Sequence, residues 1–204
     1  MREVGGLARG VAWLHRNAIA GLILTAGIAV LSGAFWSRGF DHVPGTPRSD
    51  FEYYFLTQRE FLARWVSKGV LPLWNPHLFG GYPVVEVSQT ALFYPPHLAS
   101  LWLVPQALPG LMLELGLHLV LAPVLMAWIL ARGLRMDGRA AAGAALAYVG
   151  STGFLYRFFA GHLTVIFTLT WLPVAVLAVA AACAASSDGP DERARSTRWW
   201  LVAG

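Results

Sequence analysis

Three groups of residues in this sequence carry side chains that could do chemistry. The first is Asp50, in the run Ser49-Asp50-Phe51-Glu52-Tyr53-Tyr54-Phe55. Its carboxylate could accept a hydroxyl proton or hold a divalent metal ion. It could equally be a first-turn anion facing a helix dipole. A helix N-terminus favours the ionised form, which weakens a carboxylate as a base and suits it to a metal or a cationic partner. The second group is Arg157 and His162, which flank a short turn between two apolar runs. A cation there suits a phosphate, and the plain alternative is that Arg157 snorkels while His162 caps a helix. The third is the stretch 69–83, where glycines and prolines fix the turns and Trp74, Asn75, His77 and Tyr82 fall close together. These could bond and stack against a hydroxyl-rich ligand. Alternatively, Trp74 packs the loop and Asn75 satisfies its own turn. Glu86 follows, placed to face the same cavity, and Glu114 and His118 stand one helical turn apart inside an apolar run, where they could pair.

The elements that must hold these residues are mostly membrane-length. The chain of 204 residues is 56% hydrophobic and 13% charged, against roughly 25% charged in soluble domains. Its mean hydropathy is +0.54. The expected fold class is therefore all-α: a polytopic transmembrane helical protein with a large first extracytoplasmic loop containing an amphipathic helix. Spans are expected at about 17–36, 111–131, 140–156 and 163–185, with the outer loop at 37–110. Arg2, Arg9 and Arg16, then Arg132, Arg135 and Arg139, then Arg193, Arg195 and Arg198 mark one side of the spans. By the positive-inside rule the N-terminus and residue 198 are cytoplasmic. The run from Trp199 reads as the entry to a fifth span, so the chain is expected to be the N-terminal part of a longer protein.

Within the outer loop, Ser49 and Glu52 form a capping-box pattern, and Phe51, Tyr54, Phe55, Leu62, Trp65 and Val66 share a face. Arg59, Glu60, Arg64 and Lys68 read as the polar side, and Gly69 as the stop. The spacing predicts a helix over 49–68 with Phe51, Phe55, Leu62 and Trp65 shielded. The Tyr94-Pro95-Pro96 piece reads as a turn.

Several function classes are excluded. One cysteine, Cys183, permits neither a disulfide framework nor Cys/His zinc spacing. There is no GxGxxG, Walker loop, GxSxG or HExxH. The formal charge of +4 records topology and is no nucleic-acid footprint.

Gly69-x-Leu71-Pro72-Leu73-Trp74-Asn75-Pro76-x-x-x-Gly80-Gly81-x-Pro83, then Gln89, Tyr94-Pro95-Pro96, Gly161-His162 and Trp171-x-Pro173 resemble the YfhO-like bacterial membrane proteins of the GT-C glycosyltransferase superfamily. The resemblance runs from about residue 45 to 175 and is most specific in the GxLPLWNP and YPP stretches. It implies a membrane glycosyltransferase of the bacterial inner membrane. Such an enzyme would take a sugar from a polyprenyl-phosphate-linked donor and transfer it to a cell-envelope acceptor at the extracytoplasmic face. Asp50 best matches the family's first-loop acid, with Asp41 as runner-up. Arg157 and His162 would then hold the donor phosphate, with Trp74, Asn75, His77, Tyr82 and Glu86 around the substrate. The expected partners are the donor, the acceptor and membrane lipids, with no nucleic acid; a divalent metal at Asp50 is the one cofactor in view. The rival readings are a non-catalytic assembly or lipid-binding component and a transporter for a lipid-linked glycan.

Overall fold

The computed structural model describes residues 18–33, 37 and 48–187. Asp41, the arginines before residue 18 and after residue 187, and the run from Trp199 lie outside the described residues. The described part is mainly helical. Helix α1 is Ala18–Gly33. A π-helical turn, Phe51–Leu56, runs into α2, Thr57–Val66. A two-stranded antiparallel ladder follows, β1 (Trp74–Asn75) against β2 (Tyr82–Pro83), with Trp74 opposite Pro83 and Asn75 opposite Tyr82. Next come α3 (Pro95–Leu103), α4 (Ala107–Trp128, extended by a π turn to Gly133), α5 (Gly138–Val149), α6 (Thr152–Phe159) and α7 (Leu163–Ser187).

Two helical stretches, Ala107–Gly133 and Leu163–Cys183, are long and apolar enough to cross a membrane. They pack together, and α5 lies against α4. The expected span at 140–156 is not one helix. Gly150 closes α5, and Ser151 opens α6 by accepting a bond from the Phe154 N–H at 3.4 Å. The twelve residues of α5 reach about 18 Å, short of a hydrocarbon core of about 30 Å. Helix α1 is also shorter than the expected 17–36 span over its described length. The bare backbone of Gly27 on α1 abuts Leu146 of α5.

The loop helix forms much as its pattern demands, with informative exceptions. At its end Gly69 is left-handed (φ 75), the Gly69 N–H reaches the Val66 carbonyl and the Val70 N–H reaches that of Trp65. This is the Schellman closure that a glycine permits. Glu60 and Arg64 pair at 3.5 Å. At its start the capping box is displaced by one residue. The Glu52 carboxylate accepts from the Arg48 N–H (3.1 Å), and the buried Ser49 hydroxyl faces the turn at Gly161 instead of an N–H of its own helix. Trp65 is 37% exposed and Arg59 is 1% exposed, so one aromatic and one cation trade the places their types suggest. The Tyr94-Pro95-Pro96 piece is a helix start, because proline fits the first helical positions, whose N–H groups need no partner.

Two cores result. Phe51, Phe55, Leu111, Leu115, Phe154, Leu163, Ile166 and Phe167 join the start of the loop helix to α4, α6 and α7. Leu62, Ala63, Val66, Val84, Leu92 and Leu101 fasten α2 to α3 and the hairpin. Burying a Leu or Phe in water-facing structure stabilises by roughly 1.5–3 kcal/mol.

Candidate functional site

The segment that carries Asp50 meets the α6–α7 turn because of one glycine. Gly161 is left-handed (φ 76), and a Cβ there would stand 2.6 Å from the Phe51 nitrogen and 3.1 Å from the Ser49 hydroxyl. Only a bare backbone allows this approach. It brings His162 Nε2 to 3.1 Å from Asp50 Oδ2, while Arg157 Nη1 lies 3.0 Å from His162 Nδ1. Two groups singled out separately in the sequence thus form one line: carboxylate, imidazole, guanidinium. It is open to solvent, with the Asp50 side chain 62% and that of His162 29% exposed. The Arg157 guanidinium also lies over the Tyr156 ring, 5.7 Å from its centre. His162 immediately precedes α7, so the line sits at the end of a membrane-length helix.

The other expected site residues are elsewhere. Asn75 is buried, and its Oδ1 accepts the His77 N–H at 2.9 Å, so this side chain is taken up by its own turn. The Trp74 ring lies over Gly81, where a Cβ would be 2.7 Å away. The Tyr82 hydroxyl meets the Gln58 amide, and Glu86 is exposed in a 3-10 turn. His77 packs edge-on to Phe61 (6.1 Å between centres) beside an open hollow of about 250 Å³ lined also by Glu60 and Arg64. Phe61 is eleven residues beyond Asp50, about 16 Å along a helix. The aromatic hairpin and the Asp50 line are therefore separate places.

A second polar cluster is closed. Arg59 reaches from α2 to the Glu114 carboxylate on α4, to the Ser100 hydroxyl (2.8 Å) and to the Val104 carbonyl (2.9 Å). His97 Nδ1–H donates to Glu114 Oε2 at 2.8 Å, and the Ser100 hydroxyl also contacts this carboxylate. Glu114 and His118 do not pair through their side chains. His118 Nδ1–H donates to the Glu114 backbone carbonyl (2.6 Å), its Nε2 accepts from Tyr94 O–H (2.5 Å), and the Tyr94 oxygen accepts from Trp171 Nε1–H (2.7 Å). A carbonyl can only accept, so His118 carries a proton on Nδ1, and the Trp171 indole, which can only donate, leaves the Tyr94 hydroxyl proton free to face Nε2. Burial pulls Arg59 below its ordinary value, and the neighbouring Glu114 works against that shift. Burial pushes Tyr94 up, with the Trp171 bond opposing.

Arg59 is buried where its residue type suggests the polar side. Its signal was legible: Phe55, Arg59, Leu62 and Val66 keep the i, i+4, i+7, i+11 spacing of a buried stripe. An acid at Glu114 inside an apolar run also calls for a cation from another element. Among the described residues no group of three or more His, Cys, Asp or Glu converges as a metal site, and Asp50 has His162 as its one neighbour of that kind. Comparison with protein-family models, with curated proteins and with solved structures finds no match.

Proposed function

We propose that the chain belongs to a multi-pass protein of the bacterial inner membrane, YfhO-like and of the GT-C type. It would transfer a sugar from a polyprenyl-phosphate donor to a cell-envelope acceptor at the outer face. The observation that carries this reading is the Asp50–His162–Arg157 line at the end of a membrane-length apolar helix. An acceptor hydroxyl needs a proton acceptor as it attacks the anomeric carbon, and the departing phosphate needs a fixed cation. A carboxylate–imidazole pair beside an arginine offers both within one contact network, and its exposure leaves it reachable. In this reading Asp50 is the carboxylate partner in proton transfer and Arg157 the phosphate contact.

The test is transfer of sugar by membranes carrying the full-length protein. Asp50→Asn is expected to cut turnover on the order of 100-fold at unchanged protein level. Arg157→Ala is expected to weaken donor binding as well as slow turnover, since a phosphate contact acts in ground and transition states alike. Near-normal transfer by Asp50→Asn with inactive Asp41→Asn would move the acid to Asp41; activity in both removes the first-loop carboxylate from the mechanism. A second reading, lipid binding without chemistry, is favoured by the same half-buried Arg157 at a helix end. It expects Arg157→Ala to lose lipid-phosphate binding while Asp50→Asn changes nothing. The orientation has its own check. With Cys183 replaced by serine, a cysteine placed at Gly80 should react with an impermeant reagent from outside, and labelling only after permeabilisation would reverse the topology.

A further inference from the structure

Helix α3 has the polarity of a water-facing helix turned inside out. From Phe93 to Leu103 the exposed residues are Phe93, Pro95, Ala99, Trp102 and Leu103, all apolar. The polar groups point the other way. His97 and Ser100 are buried against Glu114 of α4, and the Tyr94 hydroxyl bonds His118 and Trp171. Single exposed apolar residues are ordinary on a wetted surface, but a face with its polar groups inward and its aromatics outward is not. An exposed polar side chain returns only at Gln106, where α4 begins.

The contacts of α3 also set its depth. His118 of α4 stacks on Phe167 of α7, and a Cβ at Gly133 would stand 3.1 Å from Leu177, so the two membrane-length helices run in the same direction. Tyr94 meets His118, Ser100 meets Glu114, and the Arg59 guanidinium links the Val104 carbonyl to the level of Gly110. Helix α3 therefore runs antiparallel to the first half of α4, with its start at the deep end. The stretch Leu163–Cys183 has 21 residues, about 32 Å, hardly longer than a hydrocarbon core of about 30 Å. Trp171 is eight residues inside it, about 12 Å from the Leu163 end and close to the middle of such a core.

A helix start at that depth must dispose of its open N–H groups without water. The Tyr94 N–H bonds the Ala91 carbonyl at 2.9 Å, and Pro95 and Pro96 have no N–H to satisfy. That closes three of the four groups a helix start leaves open.

We propose that α3 is a re-entrant helix whose exposed face, with Phe93, Ala99, Trp102 and Leu103, lies against the acyl chains of one bilayer leaflet. The descent is short. Thr90 and Ala91 line one recess with Leu163 and Thr164, and Tyr94 is already beside Trp171. The nine residues of α3 then climb back about 13 Å along α4, so the segment enters and leaves on the same side. This placement needs α4 and α7 to cross a membrane and needs none of the chemistry proposed above.

The experiment is collision accessibility of nitroxide labels on the full chain in phosphatidylcholine vesicles. In a chain carrying Cys183→Ser, single labels are attached through Phe93→Cys, Ala99→Cys, Leu103→Cys, Ser67→Cys or Val176→Cys. Oxygen reports hydrocarbon and a nickel chelate reports water. Val176, exposed on α7, marks the span, and Ser67, exposed just after α2, marks water. Oxygen should be preferred at 93, 99 and 103, with the label at 93 about 10 Å deeper than that at 103. Ala99→Cys adds one sulfur atom to an exposed position, so the test does not hang on the larger replacements. Equal depths at 93 and 103 would lay α3 flat on the surface and overturn the re-entrant path. Nickel preference at all three, with oxygen preferred at Val176, would place α3 in water and leave the spans standing. Shielding of all three from both reagents would mean that protein, such as a second copy of the chain, covers the face in place of lipid. Nickel preference at Val176 as well would remove the spans and α3's insertion together.

Discussion

Asp50 and Arg59 belong to one continuous helical segment, yet their charges are handled in opposite ways. Arg59 is sealed among Glu114, Ser100 and a backbone carbonyl, with almost no exposure. Asp50 stands in solvent with its carboxylate against the His162 imidazole. A buried ion pair is held by the cost of separating it, since each charge alone would be stranded away from water. An exposed pair is held by little, and its members can exchange partners. The first arrangement suits fastening a loop to helices, and the second suits binding and proton movement.

The sharpest way to break this contrast is to strand the buried charge. Glu114→Leu leaves Arg59 without its carboxylate and should destabilise by about 3–5 kcal/mol. Adding Arg59→Met to the same chain should recover most of that, as read by thermal unfolding in detergent. An additive double variant would mean that the two groups do not act as a pair. Gly161→Ala comes next. It forces a left-handed backbone onto a residue with a Cβ, at about 1–2 kcal/mol, and drives that Cβ into the Phe51 nitrogen. The expected outcome is modest destabilisation together with loss of the Asp50–His162 contact, and a retained contact would show that the turn is not what sets it.

Alkaline titration probes the ground between the two clusters. Tyr54 is pushed up to about 12 by burial, with Tyr82 adding to the shift. A folded value above the unfolded one means that the folded state keeps its proton longer, so this contribution is intact below about pH 10 and is lost as pH rises from there through about 12. Tyr54→Phe should flatten that part of the stability curve, and an unchanged curve would assign the alkaline loss to other groups. The smallest expected effect on stability is that of Asp50→Asn, within about 0.5 kcal/mol, for the variant expected to cost most in transfer. A large loss of stability would place Asp50 with the structural charges.

The individual members of the open site were legible because charged or imidazole side chains next to apolar runs stand out by type. Their adjacency was not legible, since it depends on the fold of the Gly161 turn and a contact between segments more than a hundred residues apart. The buried cluster was half legible. Glu114 and His118 were visible inside an apolar run, but reading them as each other's partners overlooked that a helix carbonyl and a loop arginine compete for them. Residue type points Arg59 to the polar face, while its spacing points to the buried one that it occupies. The apolar run 140–156 hid its break, because Gly150 passes for a small packing residue in an Ala- and Gly-rich stretch, while the capping serine beside it marks the new start. Pro95 and Pro96 suit a turn and the first positions of a helix equally, so residue type alone does not separate the two.

Gly110 carries a consequence for how the chain tolerates change. It lies in the first turn of α4, and a Cβ there would overlap the Arg59 guanidinium. By intrinsic propensity alone, glycine to alanine within a helix is a gain of up to about 1 kcal/mol. Here the missing methyl is the space through which a cation from the loop reaches the helix. A scan of all substitutions would therefore find position 110 as intolerant as a core leucine, with alanine and serine as damaging as larger residues. The pattern would vanish on a background carrying Arg59→Ala, which empties the space. The size of a tolerated side chain at 110 would thus report whether the loop is docked on the helices.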